Sequence, residues 1–174
     1  MIASYNATWT IQVGYRSLDP QKIISNLLES INSVMEQVRQ DAVIRLLTID
    51  DMAQILEVQQ EAYPEYYWEA QEAYIMKLQL APETCFGAFD ADHTLLGYGI
   101  AMPMRTPGMT IPLDSDNFDG IVDIREAACI YMHDFAIRLS SARTGLGTAL
   151  FYNLLHLAER HEIQLLELVA VQTS

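Results

Sequence analysis

Residues 130–150 read Ile130-Tyr131-Met132-His133-Asp134-Phe135-Ala136-Ile137, then Arg138-Leu139-Ser140-Ser141-Ala142-Arg143-Thr144, then Gly145-Leu146-Gly147-Thr148-Ala149-Leu150. An apolar run, a short polar link and a helix-patterned stretch make a strand, a glycine loop and a helix. The first amides of a helix have no partners inside it, and its dipole places partial positive charge there. Glycines strip away side-chain bulk, so an anion can approach those amides closely. Arg143 adds a fixed charge, and Thr144 and Thr148 add hydroxyls. The same two glycines equally suit a turn that needs positive φ, and both readings stand at this point. No Gly-Lys-Ser/Thr follows, which excludes a Walker loop. Leu150 fills the third glycine position of a dinucleotide fingerprint, and a single strand follows the helix, which disfavours that fold.

Working outward, Ile163 to Val171 reads as the strand after the helix of Gly145 to Arg160, and Cys129 to Leu139 as the strand before it. Upstream, Cys85–Phe89 and Leu95–Met104 are strands joined by the polar turn Asp90-Ala91-Asp92-His93-Thr94. Thr48-Ile49-Asp50-Asp51 is a capping box that opens a helix with Met52, Ile55, Leu56 and Ala62 on its apolar side. Pro64 ends it, a second helix covers Tyr67 to Leu80, and Ile44 to Leu47 is a short strand. From residue 44 the order is strand, helix, helix, strand, strand, strand, helix, strand. A hairpin inside that order gives an α/β (α+β) architecture with a mixed sheet flanked by helices. In front, Thr8–Tyr15 alternates as a strand, Asp19-Pro20 is a helix start, and Ile24, Leu27, Leu28, Ile31, Val34, Met35 and Val38 recur at helical spacing.

The chain has 174 residues and a formal net charge of −13. That length suits one domain, 44–174, with a strand-helix extension at 1–43. The negative balance excludes a nucleic-acid footprint. No stretch approaches the roughly 18 apolar residues of a membrane span, and the start lacks a signal-peptide pattern, so a cytoplasmic protein is expected. Cys85 and Cys129 lack metal-site spacing and read as buried, reduced thiols.

Residues from about 44 to 174 resemble the GNAT acetyltransferase superfamily. The resemblance rests on Ile44-Arg45-Leu46-Leu47-Thr48-Ile49-Asp50-Asp51, on Phe86-Gly87-Ala88-Phe89 with Leu96-Gly97-Tyr98, and most on Ile130–Ile137 followed by Gly145–Leu150. The family motif is Gln or Arg, two residues, Gly, one residue, then Gly or Ala. Gly145 and Gly147 fit; Ala142 takes the Gln/Arg position and Arg143 lies one place later. The resemblance implies a GNAT-like acyl-CoA N-acyltransferase fold with acetyl-CoA as donor and a small-molecule or peptide amine as acceptor. It implies that the main chain of Phe135, Ala136 and Ile137 pairs with the pantetheine arm. The amides of Arg143, Thr144, Gly145, Leu146, Gly147 and Thr148 would hold the pyrophosphate. The strands at 129–139 and 163–171 would splay to admit the thioester, with an amide near Ile137 facing the oxyanion.

For general acid or base work, His133 and Asp134 are the candidates. Strand alternation is expected to point them to opposite faces, so that one faces the cleft. A structural role for either also fits. Glu61, Tyr63, Glu65, Tyr66, Tyr67 and Trp68 lie where the family forms its acceptor wall, suited to an amine through cation–π contact or simply to core packing. Ser115–Glu126 follows the order of an EF-hand loop, but Ser stands where its first Asp belongs and no flanking helix is evident, so no metal is expected. The family normally continues past Leu168–Val171 into a helix and two strands that supply a tyrosine acid; this sequence stops at Ser174. The strand at 8–15 is therefore expected to cover the sheet edge, within the chain or across a homodimer. A catalytically degenerate domain that binds acyl-CoA or a protein partner is the competing reading.

Overall fold

Thr48 opens the domain as the capping box requires, with the Asp51 side chain accepting from the Thr48 backbone amide at 2.8 Å. Arg45 grips the same carboxylate with two nitrogens, at 2.8 and 2.6 Å, and lies 3.6 Å above the Phe89 ring. Hydrogen bonding from Arg45 holds the Asp51 carboxyl below its ordinary range against the opposing effect of burial. The computed structural model describes residues 6–12, 33, 42–109 and 118–171. The helix expected over 19–40, residue 33 apart, and the start of the EF-hand-like stretch at 115–117 lie outside those residues.

Six strands form one sheet: β1 Asn6–Gln12, β2 Val43–Leu46, β3 Cys85–Phe89, β4 Leu95–Met104, β5 Cys129–Ile137 and β6 Leu165–Val171, in the order β1-β6-β5-β4-β3-β2. All neighbours are antiparallel except β5 and β6. Helices α1 (Met52–Ala62) and α2 (Gln71–Leu80) bury Ile55, Val58, Tyr74 and Leu78 against Tyr98, Ile100 and Met102 on one face. Helix α3 (Leu146–Arg160) packs Ala149, Leu150, Leu154 and Leu157 against Ala101, Ile130 and Met132 on the other. Alternation along β4 and β5 separates the two cores.

Helix α2 begins at Gln71, four residues later than its periodicity suggests. Gln59 explains the delay: its side chain accepts from the Glu69 amide at 2.6 Å and donates to the Glu69 carbonyl at 3.2 Å. Those two bonds hold the backbone extended through Glu69, after a single 3-10 turn at Glu65–Tyr67. The thiols of Cys85 and Cys129 are buried and unpaired with each other, and burial pushes both up to about 12.

Strand β1 pairs along the whole outer edge of β6, from Asn6 opposite Val171 to Gln12 opposite Leu165. Without it, β6 would present a long unpaired edge. A chain starting at Asp41 is therefore expected to self-associate in light scattering where the intact chain does not. A shortened chain that stays monodisperse would show that β6 needs no cover.

Candidate functional site

Strands β5 and β6 share only three pairs, Ile130 with Leu166, Tyr131 with Glu167 and Met132 with Leu168. Strand β5 runs on to Ile137 and β6 to Val171, so the two part after Met132. The Arg138 amide donates to the Leu96 carbonyl at 2.9 Å, next to the Gly97–Ile137 pair. Alternation then turns the backbone groups of Ala136 toward β4 and those of Phe135 and Ile137 toward the opening. The Tyr63 hydroxyl, at the end of α1, donates to the Phe135 carbonyl at 2.8 Å.

Helix α3 begins against the same opening. Gly145 is its N-cap residue at φ +88°, so one of the two glycines is indeed needed for positive φ. Arg143 is also left-handed, at φ +65°. No side chain caps α3: its N-cap, Gly145, has none to offer, and the Thr144 hydroxyl before it turns back to the Ser141 carbonyl at 2.8 Å. Gly147 needs another account. A Cβ there would meet nothing closer than Phe135 Cε1 at 3.7 Å and Ile137 Cγ1 at 3.8 Å, both ordinary contacts. Glycine inside a helix costs about 0.5–1 kcal/mol relative to alanine. Nothing among the described residues requires that loss, so the first turn of α3 lacks a side chain there without a packing reason. The corner leading there is fixed: Arg138 reaches Glu61 at 3.1 Å and Glu57 at 2.8 Å, and Glu61 accepts from the Leu139 amide at 2.6 Å. Ala142, Arg143, Thr144 and Thr148 are exposed, Gly145 and Gly147 half-buried and Leu146 buried.

The opposite faces expected for His133 and Asp134 are not found. The β4–β5 register passes from Ile100 opposite Asp134 to Ala101 opposite Met132, leaving His133 as an extra bulged residue. A bulge breaks the alternation, and both side chains reach the α2 side of the sheet. Asp134 Oδ2 accepts from the hydroxyls of Tyr74 at 2.7 Å and Tyr98 at 2.6 Å. Burial first, then the Asp134 charge, pushes both phenols up. His133 Nε2 lies 2.9 Å from Glu69 Oε1 and 2.7 Å from Lys77 Nζ, and Lys77 donates to Glu69 Oε2. Burial pushes Lys77 down; it would push Glu69 up, but hydrogen bonding and charge from His133 and Lys77 outweigh it and hold that carboxyl low. His133 Nδ1 is buried without a partner, the one such side-chain atom among the described residues.

A family model described as "Acetyltransferase (GNAT) family" matches residues 49–174, well over half of the sequence. The chain belongs to this family. Among curated proteins none matches it. Solved structures with the same fold are distant in sequence. The GphF GNAT-like decarboxylase in complex with isobutyryl-CoA is 14% identical with a TM-score of 0.57, over 67% of this chain and 58% of its own. Ard1 from Thermoplasma volcanium is 19% identical with a TM-score of 0.56, over 74% and 70%. Diaminobutyrate acetyltransferase EctA from Paenibacillus lautus, in complex with L-2,4-diaminobutyric acid and coenzyme A, is 16% identical with a TM-score of 0.54, over 74% and 64%. The chain thus spans 58% of GphF and 64% of EctA. A decarboxylase on the same fold shows that the GNAT sheet does not by itself fix the reaction.

Within this GNAT frame, Phe135, Ile137 and the 143–148 corner meet at one opening, with His133 and Asp134 on its α2 side. The aromatic group expected as an acceptor wall divides. Tyr63 reaches β5, Trp68 donates to the Tyr63 carbonyl at 2.8 Å, and Tyr66 is 71% exposed against Tyr67. Lys77 and Glu69 were not among the residues singled out from sequence. One signal was available: Tyr74, Lys77, Leu78 and Ala81 share a helical stripe, so Lys77 stands where an apolar residue belongs. Glu167 was missed too; both its oxygens accept from the Gly108 amide, at 3.0 and 2.9 Å. Among the described residues no group of His, Cys, Asp and Glu is placed to hold a metal, and no helix is long and apolar enough to cross a membrane.

Proposed function

We propose that this GNAT-family chain transfers an acetyl group from acetyl-CoA to an amine. One observation carries the reading: the uncapped start of α3, bare over Gly147, adjoins the opening where β5 leaves β6. Amides of residues 143–148 with a vacant approach suit a diphosphate, and Arg143 lies exposed beside them. The outward backbone groups of Phe135 and Ile137 suit the amide-bearing pantetheine arm as a short added strand. The Phe135 carbonyl has a second lone pair beside the one Tyr63 uses. Ala136 lends no backbone group there, because its own face β4. Acetyl-CoA supplies an activated thioester; the chain orients it, excludes water and receives the proton lost by the amine. Of the two titratable candidates, His133 keeps a nitrogen open, whereas Asp134 Oδ2 already accepts two hydroxyls.

A second reading draws support from burial, since the His133 side chain is only 2% exposed. On that reading the domain binds acyl-CoA and does not turn it over. Calorimetry with acetyl-CoA and thiol release in the presence of amines separate the two. Saturable binding with amine-dependent thiol release is expected. Binding without release would establish the second reading, and no binding would overturn both.

A further inference from the structure

We infer that Glu69 and Lys77 are positioning residues that fix the His133 imidazole so that its Nδ1 takes the proton of the attacking amine. The inference rests on the acyl-transfer reading above. His133 is the first residue of β5 beyond its last pair with β6, and the bulge at this point gives it a side chain with no counterpart on β4. With Nε2–H donating to Glu69 Oε1 at 2.9 Å, the tautomer this role requires, Nδ1 keeps its lone pair; Glu69 is paired in turn with Lys77, both side chains no more than 2% exposed. That pair is tied in turn to the scaffold, because Gln59 holds the Glu69 backbone through both its amide and its carbonyl. A ring gripped at one nitrogen and stacked edge-on to Tyr131, 5.9 Å between centroids, has a fixed orientation. Nδ1 is left as the one buried side-chain nitrogen or oxygen without a partner among the described residues. Buried polar atoms are ordinarily satisfied, and this exception calls for an explanation at the residue where β5 leaves β6.

The step balances without a further reagent. The amine lone pair forms the N–C bond to the thioester carbonyl carbon, and the C–S pair leaves on sulfur. The amine proton passes to Nδ1, its bonding electrons staying on nitrogen, and the imidazolium gives a proton through solvent to the departing thiolate, which restores the imidazole. The charged groups at the imidazole are Glu69 and Lys77 from the α2 side, with Asp134 next along its own strand, and the ring beside it is that of Tyr131.

The test uses the intact chain with histidine labelled by nitrogen-15, acetyl-CoA, and three amines: L-lysine, spermidine and a peptide beginning with alanine. Saturation with acetyl-CoA is expected to shift the Nδ1 resonance of His133. Lys77→Met removes a positive neighbour and should move the pH profile of kcat to higher pH; Glu69→Gln removes a negative one and should move it to lower pH. His133→Gln should lose at least about 100-fold in kcat while its affinity for acetyl-CoA stays unchanged. The double variant carrying Lys77→Met and Glu69→Gln keeps the site neutral and covers the case in which Lys77→Met alone fails to fold. An Nδ1 resonance indifferent to bound acetyl-CoA would overturn the inference even if none of the three amines is used, as would variants with the wild-type pH profile where one of them is. Absence of acetyl-CoA binding to the wild type would instead remove the acyl-transfer reading itself.

Discussion

Gly147→Glu is expected to abolish coenzyme A binding without lowering the melting temperature. The two effects part because they act on different sides of the same backbone. Toward the protein, the nearest atoms to a new Cβ are 3.7 and 3.8 Å away, so the Cβ itself enters in ordinary contact with Phe135 and Ile137. Gly147 is the second residue of α3, where an acidic side chain is favourable to the dipole and helix propensity improves over glycine. These terms predict a stability unchanged or raised by up to about 1 kcal/mol. Toward the solvent, the carboxylate occupies the space over the free amides and sets a negative charge against a diphosphate. Like charges brought together at a binding surface cost several kcal/mol, and about 4 kcal/mol is a thousand-fold in Kd. Calorimetry with coenzyme A and a thermal melt read both sides. Retained affinity would show that the start of α3 holds no diphosphate. A collapsed melting temperature would show that Gly147 is a packing glycine after all.

That separation explains why the loop's role was only half legible in the sequence. Gly145 and Gly147 look alike as letters, yet one is demanded by φ and the other is not demanded by anything among the described residues. The order of elements from residue 44 was legible because it depends on local periodicity. Strands β3 and β4 and the hairpin between them fall where alternation and turn chemistry put them. The bulge at His133 was not legible, since a bulge is a mismatch between two strands and neither strand alone records it. Its consequence is large: it turns two candidates expected on opposite faces into neighbours on one. The start of α2 was misplaced for a similar reason, because Gln59 and Glu69 are ten positions apart and their tertiary bonds override helix propensity. Lys77 shows the remaining limit. Its place in an apolar stripe was visible, but a lysine on a helix is ordinarily solvated, and only the partners Glu69 and His133 make burial tolerable.

Those partners lead to the second large effect. Lys77→Met is expected to destabilise the fold by about 3–5 kcal/mol, although methionine fills nearly the same volume. The loss comes less from the missing ion pair than from what remains, a Glu69 side chain 2% exposed with its cationic partner gone. For a chain of this size that is a fall of roughly 10 °C in Tm. Adding Glu69→Gln to Lys77→Met should recover most of the loss, because the second substitution removes the stranded charge. The pH dependence has a definite sign. In the wild type, Glu69 is held below its ordinary value of 4.5, so its contribution is present above that value and lost as pH falls through the lower folded one. In Lys77→Met the same carboxyl loses one of the groups holding it down, so it takes up a proton at higher pH. The deficit relative to the wild type should therefore be greatest near neutrality and shrink on acidification, as denaturant melts at a series of pH values would read. A constant deficit would place its origin in packing around the methionine. A deficit that widened on acidification would mean that Glu69 carries no buried charge in the folded protein.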